Sequence, residues 1–108
     1  MNIERIHRQI AQAAYEISVH AEKERYAEQI SLDDIEQAIL RGVILEDYAD
    51  DPRGASCLIL GYSRGRAIHV VCGWTSANIL RIITVYLPKP PKWLDDRTRR
   101  LRGDQHGS

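Results

Sequence analysis

The stretch Arg66–Trp74, RAIHVVCGW, is the part of the sequence that decides the fold. Ile68, Val70 and Cys72 give it the length and the apolar character of an inner strand. His69 lies inside this run, where a buried polar group without a hydrogen-bond partner costs a few kcal/mol. The imidazole is therefore either a core histidine with satisfied hydrogen bonds or a group that faces a cleft and uses its proton chemistry.

Alternation along this strand favours the cleft. The apolar residues fall on one side, which is typical of a core-facing surface, and His69 shares the other side with Ala67, Val71 and Gly73. These neighbours are small, so they would leave space above the imidazole ring. A rigid strand would also hold the ring in a fixed direction, as proton transfer requires.

Two or three helices are predicted ahead of the strands. Apolar residues recur at helical spacing up to Ile17, so a first helix is expected to end near that residue. A short second helix is predicted over residues 22–29, and a third over residues 32–40. The candidate N-caps are Asn2, Ser18 and Ser31.

From Val43 onwards the hydrophobic pattern changes from helical to extended. The predicted strands are Val43–Tyr48, Ser56–Tyr62, Arg66–Trp74 and Ile79–Leu87. Short connections between the last three are typical of an antiparallel meander. The order predicts an α+β fold, with two or three N-terminal helices on one face of a four-stranded antiparallel sheet and the other face partly open.

The chain of 108 residues is expected to form one α+β domain over residues 1–93. Residues 94–108 are polar and arginine-rich, and we predict a flexible tail there, with Trp93 as its anchor. No apolar run is long enough to span a bilayer, and the N-terminus resembles no secretion signal, so we expect a cytoplasmic protein without a membrane partner. Cys57 and Cys72 are predicted to be buried thiols.

Charge is distributed unevenly along the chain, although the formal net charge is zero. Residues 1–52 hold five Lys or Arg against twelve Asp or Glu, whereas residues 53–108 hold ten against three. This asymmetry predicts an acidic and a basic face, one of which would meet nucleic acid or a charged protein. The alternative is that the two halves neutralise each other within the fold.

Six stretches in order resemble a small bacterial domain family of unknown function. They are SVHAEKER (Ser18–Arg25), ISLDDIEQAILRGVILEDY (Ile30–Tyr48), CLILG (Cys57–Gly61), IHVV (Ile68–Val71), IITVYLP (Ile82–Pro88) and KW (Lys92–Trp93). That family is similar to the RelE/ParE and BrnT toxins and to metal-independent ribonucleases with colicin D-like folds. The resemblance implies a RelE-like, microbial-RNase-like fold, cleavage of RNA without a cofactor, and an antitoxin-like partner protein.

Cleaving RNA without a metal needs a base for the 2′-hydroxyl, an acid for the leaving oxygen, and fixed donors that hold the phosphate. The candidate catalytic residues are His20, His69, Glu46, Arg25 and Tyr86. The candidate RNA- and phosphate-binding residues are Arg64, Arg66, Arg81, Trp93 and Arg97. We expect neither a metal site nor a cofactor.

Each candidate also has a structural interpretation. His20 and Arg25 would converge only if His20 precedes its helix, and otherwise they would serve to tie that helix to the sheet. Glu46 would more commonly form a salt bridge with an arginine than act as a base. The Tyr86 hydroxyl would either donate to a phosphate or complete the rim of the core. The alternative function, accordingly, is a non-catalytic module that binds a partner protein.

Overall fold

The computed structural model describes residues 1–99 and contains three helices and five strands in that range. The elements in chain order are α1 Ile3–Ala11, β1 Tyr15–Ile17, α2 Val19–Ala27, α3 Leu32–Leu40, β2 Val43–Tyr48, β3 Ser56–Ser63, β4 Arg66–Trp74 and β5 Leu80–Tyr86. The predicted α+β class is confirmed. Residues 100–108, the remainder of the predicted tail, lie outside the described range.

The sheet has five strands in the order β1-β5-β4-β3-β2, so the prediction of a four-stranded antiparallel sheet was wrong. The additional strand, Tyr15–Ile17, pairs in parallel with Leu80–Ile82 of β5. The sequence predicts that the first helix continues to about Ile17, but helix α1 ends at Ala11 because Ala13 adopts a left-handed backbone conformation with φ of 55°. The resulting sheet is mixed.

Side-chain caps begin all three helices, as predicted. Asn2, Ser18 and Ser31 each accept a hydrogen bond from a backbone N–H in the first turn of the helix that follows. At Ser31 the bond is reciprocal, because the carboxylate of Asp34 accepts from the Ser31 N–H in a capping box. Ser18 follows β1 directly and is the N-cap of α2, so the second helix starts three residues earlier than predicted.

The main core lies between the helices and the inner face of the sheet. Ile6 of α1 and Ile39 of α3 pack there with Ile68 and Val70 of β4. Helix α3 lies so close to β3 that a Cβ atom on Gly61 would fall 1.8 Å from a backbone oxygen of the helix. Only glycine fits at that contact. As alternation along β4 predicts, His69 points away from this core to the outer face.

The outer face is half covered by a segment that we call the C-terminal strap, residues 93–99. Trp93 is 1% exposed and packs against His69, which is 0% exposed. Leu58 and Leu60 of β3, which pair in register with Val71 and His69, are also buried although they lie outside the main core. The outer face therefore holds a second, smaller buried cluster at this end.

Charge asymmetry along the chain is offset inside the fold. Within residues 1–99, five long-range ion pairs between side chains each join an acid of the first half to a base of the second half. They are Asp34–Arg64, Asp34–Arg66, Glu16–Arg81, Glu28–Lys89 and Glu46–Arg99. None of the helices in this range is long and apolar enough to cross a bilayer.

Candidate functional site

His69 has hydrogen-bond partners on both ring nitrogens. Its Nε2 atom lies 2.6 Å from the backbone oxygen of Asp96, and its Nδ1 atom lies 3.2 Å from the hydroxyl of Tyr86. The indole Nε1 of Trp93 donates to that same hydroxyl at 3.1 Å. A carbonyl oxygen only accepts, so we assign the proton to Nε2, and the Tyr86 hydroxyl then donates to Nδ1. Every polar atom in this chain of bonds is satisfied.

Aromatic rings surround the imidazole. The ring of Trp93 meets it edge to face at a centroid distance of 4.4 Å, and the ring of Tyr86 does so at 5.2 Å. Burial lowers the pKa of His69, although the bond to the Asp96 carbonyl acts in the opposite direction. His69 is therefore neutral at physiological pH, and it does not face the open cleft that its small neighbours predicted, because Trp93 fills that space.

Glu46 forms the salt bridge that the sequence offered as its commoner role, and the partner is Arg99 of the strap. The guanidinium donates through Nε at 3.1 Å and through Nη2 at 2.8 Å, and the hydroxyl of Tyr48 donates to the same carboxylate. The bond from Arg99 lowers the pKa of Glu46. Burial and then the bond to Glu46 raise the pKa of Tyr48 to about 12. The carboxylate is ionised and the phenol is neutral.

What we call the outer-face cluster consists of four strand residues, Glu46, Tyr48, His69 and Tyr86. Glu46 lies on β2 and His69 on β4, with one strand between them. Glu46 pairs with Leu58, and Leu58 pairs with Val71, which is two residues along β4 from His69; two strand spacings and this offset place the two backbones about 12 Å apart. Leu58 and Leu60 of β3 lie between them on the same face. Arg99 of the strap bonds to Glu46, and its guanidinium lies 4.5 Å from the Trp93 ring centroid.

His20 and Arg25 do not join this cluster. Both lie within α2, and the His20 side chain is 69% exposed and bound to Glu24 at 3.3 Å. Arg25 pairs with Glu22 at 2.6 Å and donates to the backbone oxygen of Ile30. The predicted convergence of His20 and Arg25 is therefore absent from the described chain, and both side chains serve contacts of their own helix or its C-terminal turn.

Arg64 and Arg66, predicted to hold phosphate, instead bind a buried carboxylate. Arg64 contacts both oxygens of Asp34, at 3.0 and 2.7 Å, and Arg66 reaches the same carboxylate at 3.2 Å. Burial alone would raise the pKa of Asp34, but hydrogen bonds from Arg64, Ser31 and Ser63 hold it well below its ordinary value. These contacts fasten the β3–β4 hairpin to the start of α3.

The remaining predicted RNA contacts lie in two places. Arg81 is half-exposed and donates to Glu16 at 2.6 Å across the parallel strand pair. Arg97 is exposed on the strap and lies 3.4 Å from Asp96. Trp93 is buried in the arrangement described above, which leaves no free ring surface for base stacking.

An open groove continues the outer face beyond the strap. Its volume is about 770 Å³, and its lining includes Tyr48, Arg53, Ser56, Gly73, Trp74 and Arg81. Tyr48 belongs to both the groove and the outer-face cluster. Within residues 1–99, no three His, Cys, Asp or Glu side chains are grouped so that they would hold a metal ion.

Two participants in the site escaped prediction from the sequence. Arg99 belongs to a run of arginines that has the composition of a solvated tail, and Asp96 acts through its backbone oxygen, which any residue provides. The one signal for the strap was Trp93, whose isolated aromatic ring indicates an anchor. Face alternation did predict that Glu46 and Tyr48 share a side.

Comparison with known protein families identifies a match for this chain. A family model described as a domain of unknown function, DUF4258, matches residues 17–87. The chain belongs to this family. No curated protein and no solved structure matches it. The matched range contains Glu46, Tyr48, His69 and Tyr86, and it ends before the strap begins.

Proposed function

We propose that this protein is a toxin-like, metal-independent ribonuclease whose reaction takes place at the outer-face cluster. One observation carries the proposal: Glu46 and His69, a carboxylate and an imidazole, lie on the same face of a rigid sheet, on β2 and β4. The charge of each group also contributes to the pKa of the other, which supports treating the two as one site. A relation of this domain family to the RelE/ParE and BrnT toxins, which the sequence resemblance implies, favours the same function.

The chemistry would be a transesterification within RNA. The Glu46 carboxylate takes the proton of a 2′-hydroxyl, and the 2′-oxygen attacks the adjacent phosphorus. The bond from phosphorus to the 5′-oxygen breaks, and that oxygen takes a proton from His69, which is neutral in the described arrangement and gains this proton from water once the site is open to solvent. The products are a 2′,3′-cyclic phosphate and a free 5′-hydroxyl. Acid–base assistance of this kind contributes about 10²–10⁴-fold to the rate.

The Tyr48 hydroxyl donates to Glu46, and the Tyr86 hydroxyl donates to Nδ1 of His69. Each would be free to donate to a phosphate oxygen once Glu46 and His69 carry a proton. The neighbouring groove, with Arg53 and Arg81 in its walls, would hold nucleotides next to the scissile bond. His20 and Arg25 take no part in these steps, since their contacts lie on α2. An antitoxin-like protein is the proposed partner, and the cytoplasm is the proposed location.

Cleavage of RNA by the purified chain tests this function. A single-stranded RNA of mixed sequence should be cut by the wild-type chain, and its fully 2′-O-methylated counterpart should remain intact because it lacks the nucleophile. Glu46→Gln should lower the rate by about 10²-fold or more. Glu4→Gln, which neutralises an exposed carboxylate of α1, is the matched control and should leave the rate unchanged. Equal cleavage by wild type and Glu46→Gln would refute the proposal.

The second candidate function is a non-catalytic module that binds a partner protein. It is favoured by the five long-range ion pairs, which leave the described part of the chain without the strongly basic face typical of RNA-binding domains. A chain that binds one protein partner stoichiometrically and cleaves none of a range of RNAs would establish this alternative. RNA binding through several phosphates, by contrast, should weaken steeply as salt is added.

A further inference from the structure

We propose that the C-terminal strap, residues 93–99, is an autoinhibitory cover that RNA must displace from the outer-face cluster. This inference rests on the proposed function, because it assigns the regulation of the same site. It concerns a segment that follows the matched family range, residues 17–87, and that contains two of the predicted RNA-binding residues, Trp93 and Arg97.

The strap occupies both groups that the reaction needs for proton transfer. Its backbone at Asp96 accepts the hydrogen bond of Nε2 of His69, and its Arg99 side chain binds both oxygens of Glu46. An imidazole held in this way has no free nitrogen for a leaving oxygen, and a carboxylate held in this way is a weak base. The described arrangement is therefore the inactive one.

The site beneath the strap is complete without it. Glu46, Tyr48, His69 and Tyr86 all belong to strands of the sheet, and all lie within the matched family range 17–87. The strap follows this range and adds a covering layer over Leu60 and His69. A cover added to a finished site, rather than a strand or helix within the domain, is the arrangement expected of a regulatory segment.

The strap is held by bonds to four strands and by bonds within itself. Asp96 bonds to His69 and Tyr62, Trp93 to Tyr86, and Arg99 to Glu46, while the Leu94 N–H donates to the Thr98 oxygen at 2.8 Å. Trp93 is absent from the main core cluster, so release of the strap leaves that cluster intact. Trp93 also forms its β-bridge with Arg99, another strap residue. The Glu46–Arg99 pair is about one-third exposed on both sides, so water can replace each partner.

RNA is suited to displace this strap. Its phosphates compete for the guanidinium of Arg99, and once Arg99 leaves Glu46 the carboxylate becomes free to act as a base. Because Arg97 is exposed on the same segment, a released strap would carry two guanidinium groups to the RNA backbone. Displacement would thus exchange the Glu46–Arg99 pair, the His69–Asp96 bond and the burial of Trp93 for phosphate contacts.

Cleavage by the full-length Trp93→Ala variant tests the inference. Loss of the indole removes the anchor of the strap, so kcat/KM for single-stranded RNA should rise by about tenfold or more as the open population grows. Leu94→Ala, at a half-exposed strap position, is the matched control and should leave the rate unchanged. Arg99→Ala, which removes the contacts of the guanidinium to Glu46 and to the Trp93 ring, should also raise the rate and guards against misfolding of the tryptophan variant.

The possible outcomes separate the two proposals. If the cleavage rate is unchanged or lower in both Trp93→Ala and Arg99→Ala, the proposal that the strap inhibits cleavage is wrong. A lower rate would indicate instead that Trp93 stacks on bases of the RNA. In that case wild-type cleavage that depends on Glu46 still supports the ribonuclease. If neither the wild type nor the two variants cleave RNA, both proposals fail together. A higher rate in both variants, abolished by adding Glu46→Gln, supports both.

Discussion

The backbone oxygen of Asp96 lies 2.6 Å from Nε2 of His69, so the histidine at the centre of the sheet is closed off by a residue 27 positions later in the chain. The bond shows how the outer face is organised. A titratable strand residue is neutral and buried not because it belongs to the main core, but because a separate segment folds over it. Both the stability and the proposed activity of the protein depend on that segment.

His69→Ala should destabilise the protein. The substitution leaves a cavity under Trp93 and leaves the Tyr86 hydroxyl and the Asp96 oxygen without their partner, so we expect a loss of about 2–4 kcal/mol in the free energy of unfolding. Urea denaturation measures it. His20→Ala, at an exposed position, should change stability by less than about 0.5 kcal/mol. Equal stabilities for the two variants would contradict the buried network.

This expectation replaces the one that the sequence alone gives. A histidine facing an open cleft would be replaceable by alanine with little change in the thermal midpoint. Because His69 is 0% exposed and bonded on both nitrogens, loss of activity in His69→Ala cannot be separated from loss of structure. Glu46→Gln is the more informative catalytic variant, since it retains the size of the side chain.

Stability should fall as the pH falls below about 6.5, the ordinary pKa of histidine. Burial lowers the pKa of His69 in the folded state, so between that lowered value and the ordinary one the unfolded chain binds a proton that the folded chain does not. The stability that neutral His69 contributes is therefore fully present above the ordinary pKa of histidine and is lost progressively as the pH falls below that value. Urea midpoints at pH 5 to 8 measure the effect, and a His69→Gln variant should show a smaller slope.

Asp34→Ala should cost about 3 kcal/mol, because it removes the capping box of α3 and leaves Arg64 and Arg66 without their shared acceptor. The matched control is Asp33→Ala, which changes an exposed carboxylate of the same turn. Since the pKa of Asp34 is held well below its ordinary value, the stabilising contribution is present above that ordinary value and is lost as acid protonates it. A loss of less than about 1 kcal/mol in the free energy of unfolding would show that the Asp34 ion pairs contribute no more than exposed surface pairs do.

Cys57 and Cys72 are in register on β3 and β4, with their sulfur atoms 4.0 Å apart, and both are free and buried. We expect neither thiol to react with a bulky disulfide reagent in the native protein, and both to react in urea. Thiol titration under the two conditions measures this. Rapid native reaction of either thiol would indicate that the sheet opens at this pair.

The helices and four of the strands could be predicted because their signals are local. Ser31 caps a helix that matches the predicted bounds Leu32–Leu40, and β4 matches the predicted bounds Arg66–Trp74. Strand β1 could not be predicted in this way. It is three residues long, Ile17 fits the helical spacing of the residues before it, and the strand segment with which it pairs, Leu80–Ile82, lies about 65 residues away in the chain.

The strand residues of the candidate site could be predicted from the sequence, but the strap that covers them could not. Alternation indicated that Glu46 and Tyr48 share a face and that His69 points away from the core, as the structure shows. The position of the strap depends on the shape of a pocket formed by three strands, and its sequence offers only one aromatic residue, Trp93. The pairing of Arg64 with Asp34 could not be predicted from the sequence either, because it depends on a tertiary contact.

The most direct test of the central claim, that Glu46 transfers a proton during RNA cleavage at the outer face, uses a DNA strand with one internal ribonucleotide. We expect the Trp93→Ala variant to cut this strand only after the ribonucleotide, leaving a 2′,3′-cyclic phosphate that mass spectrometry identifies. Adding Glu46→Gln should slow that cut by about 10²–10⁴-fold. An intact strand, or the same rate with and without Glu46→Gln, would contradict the claim.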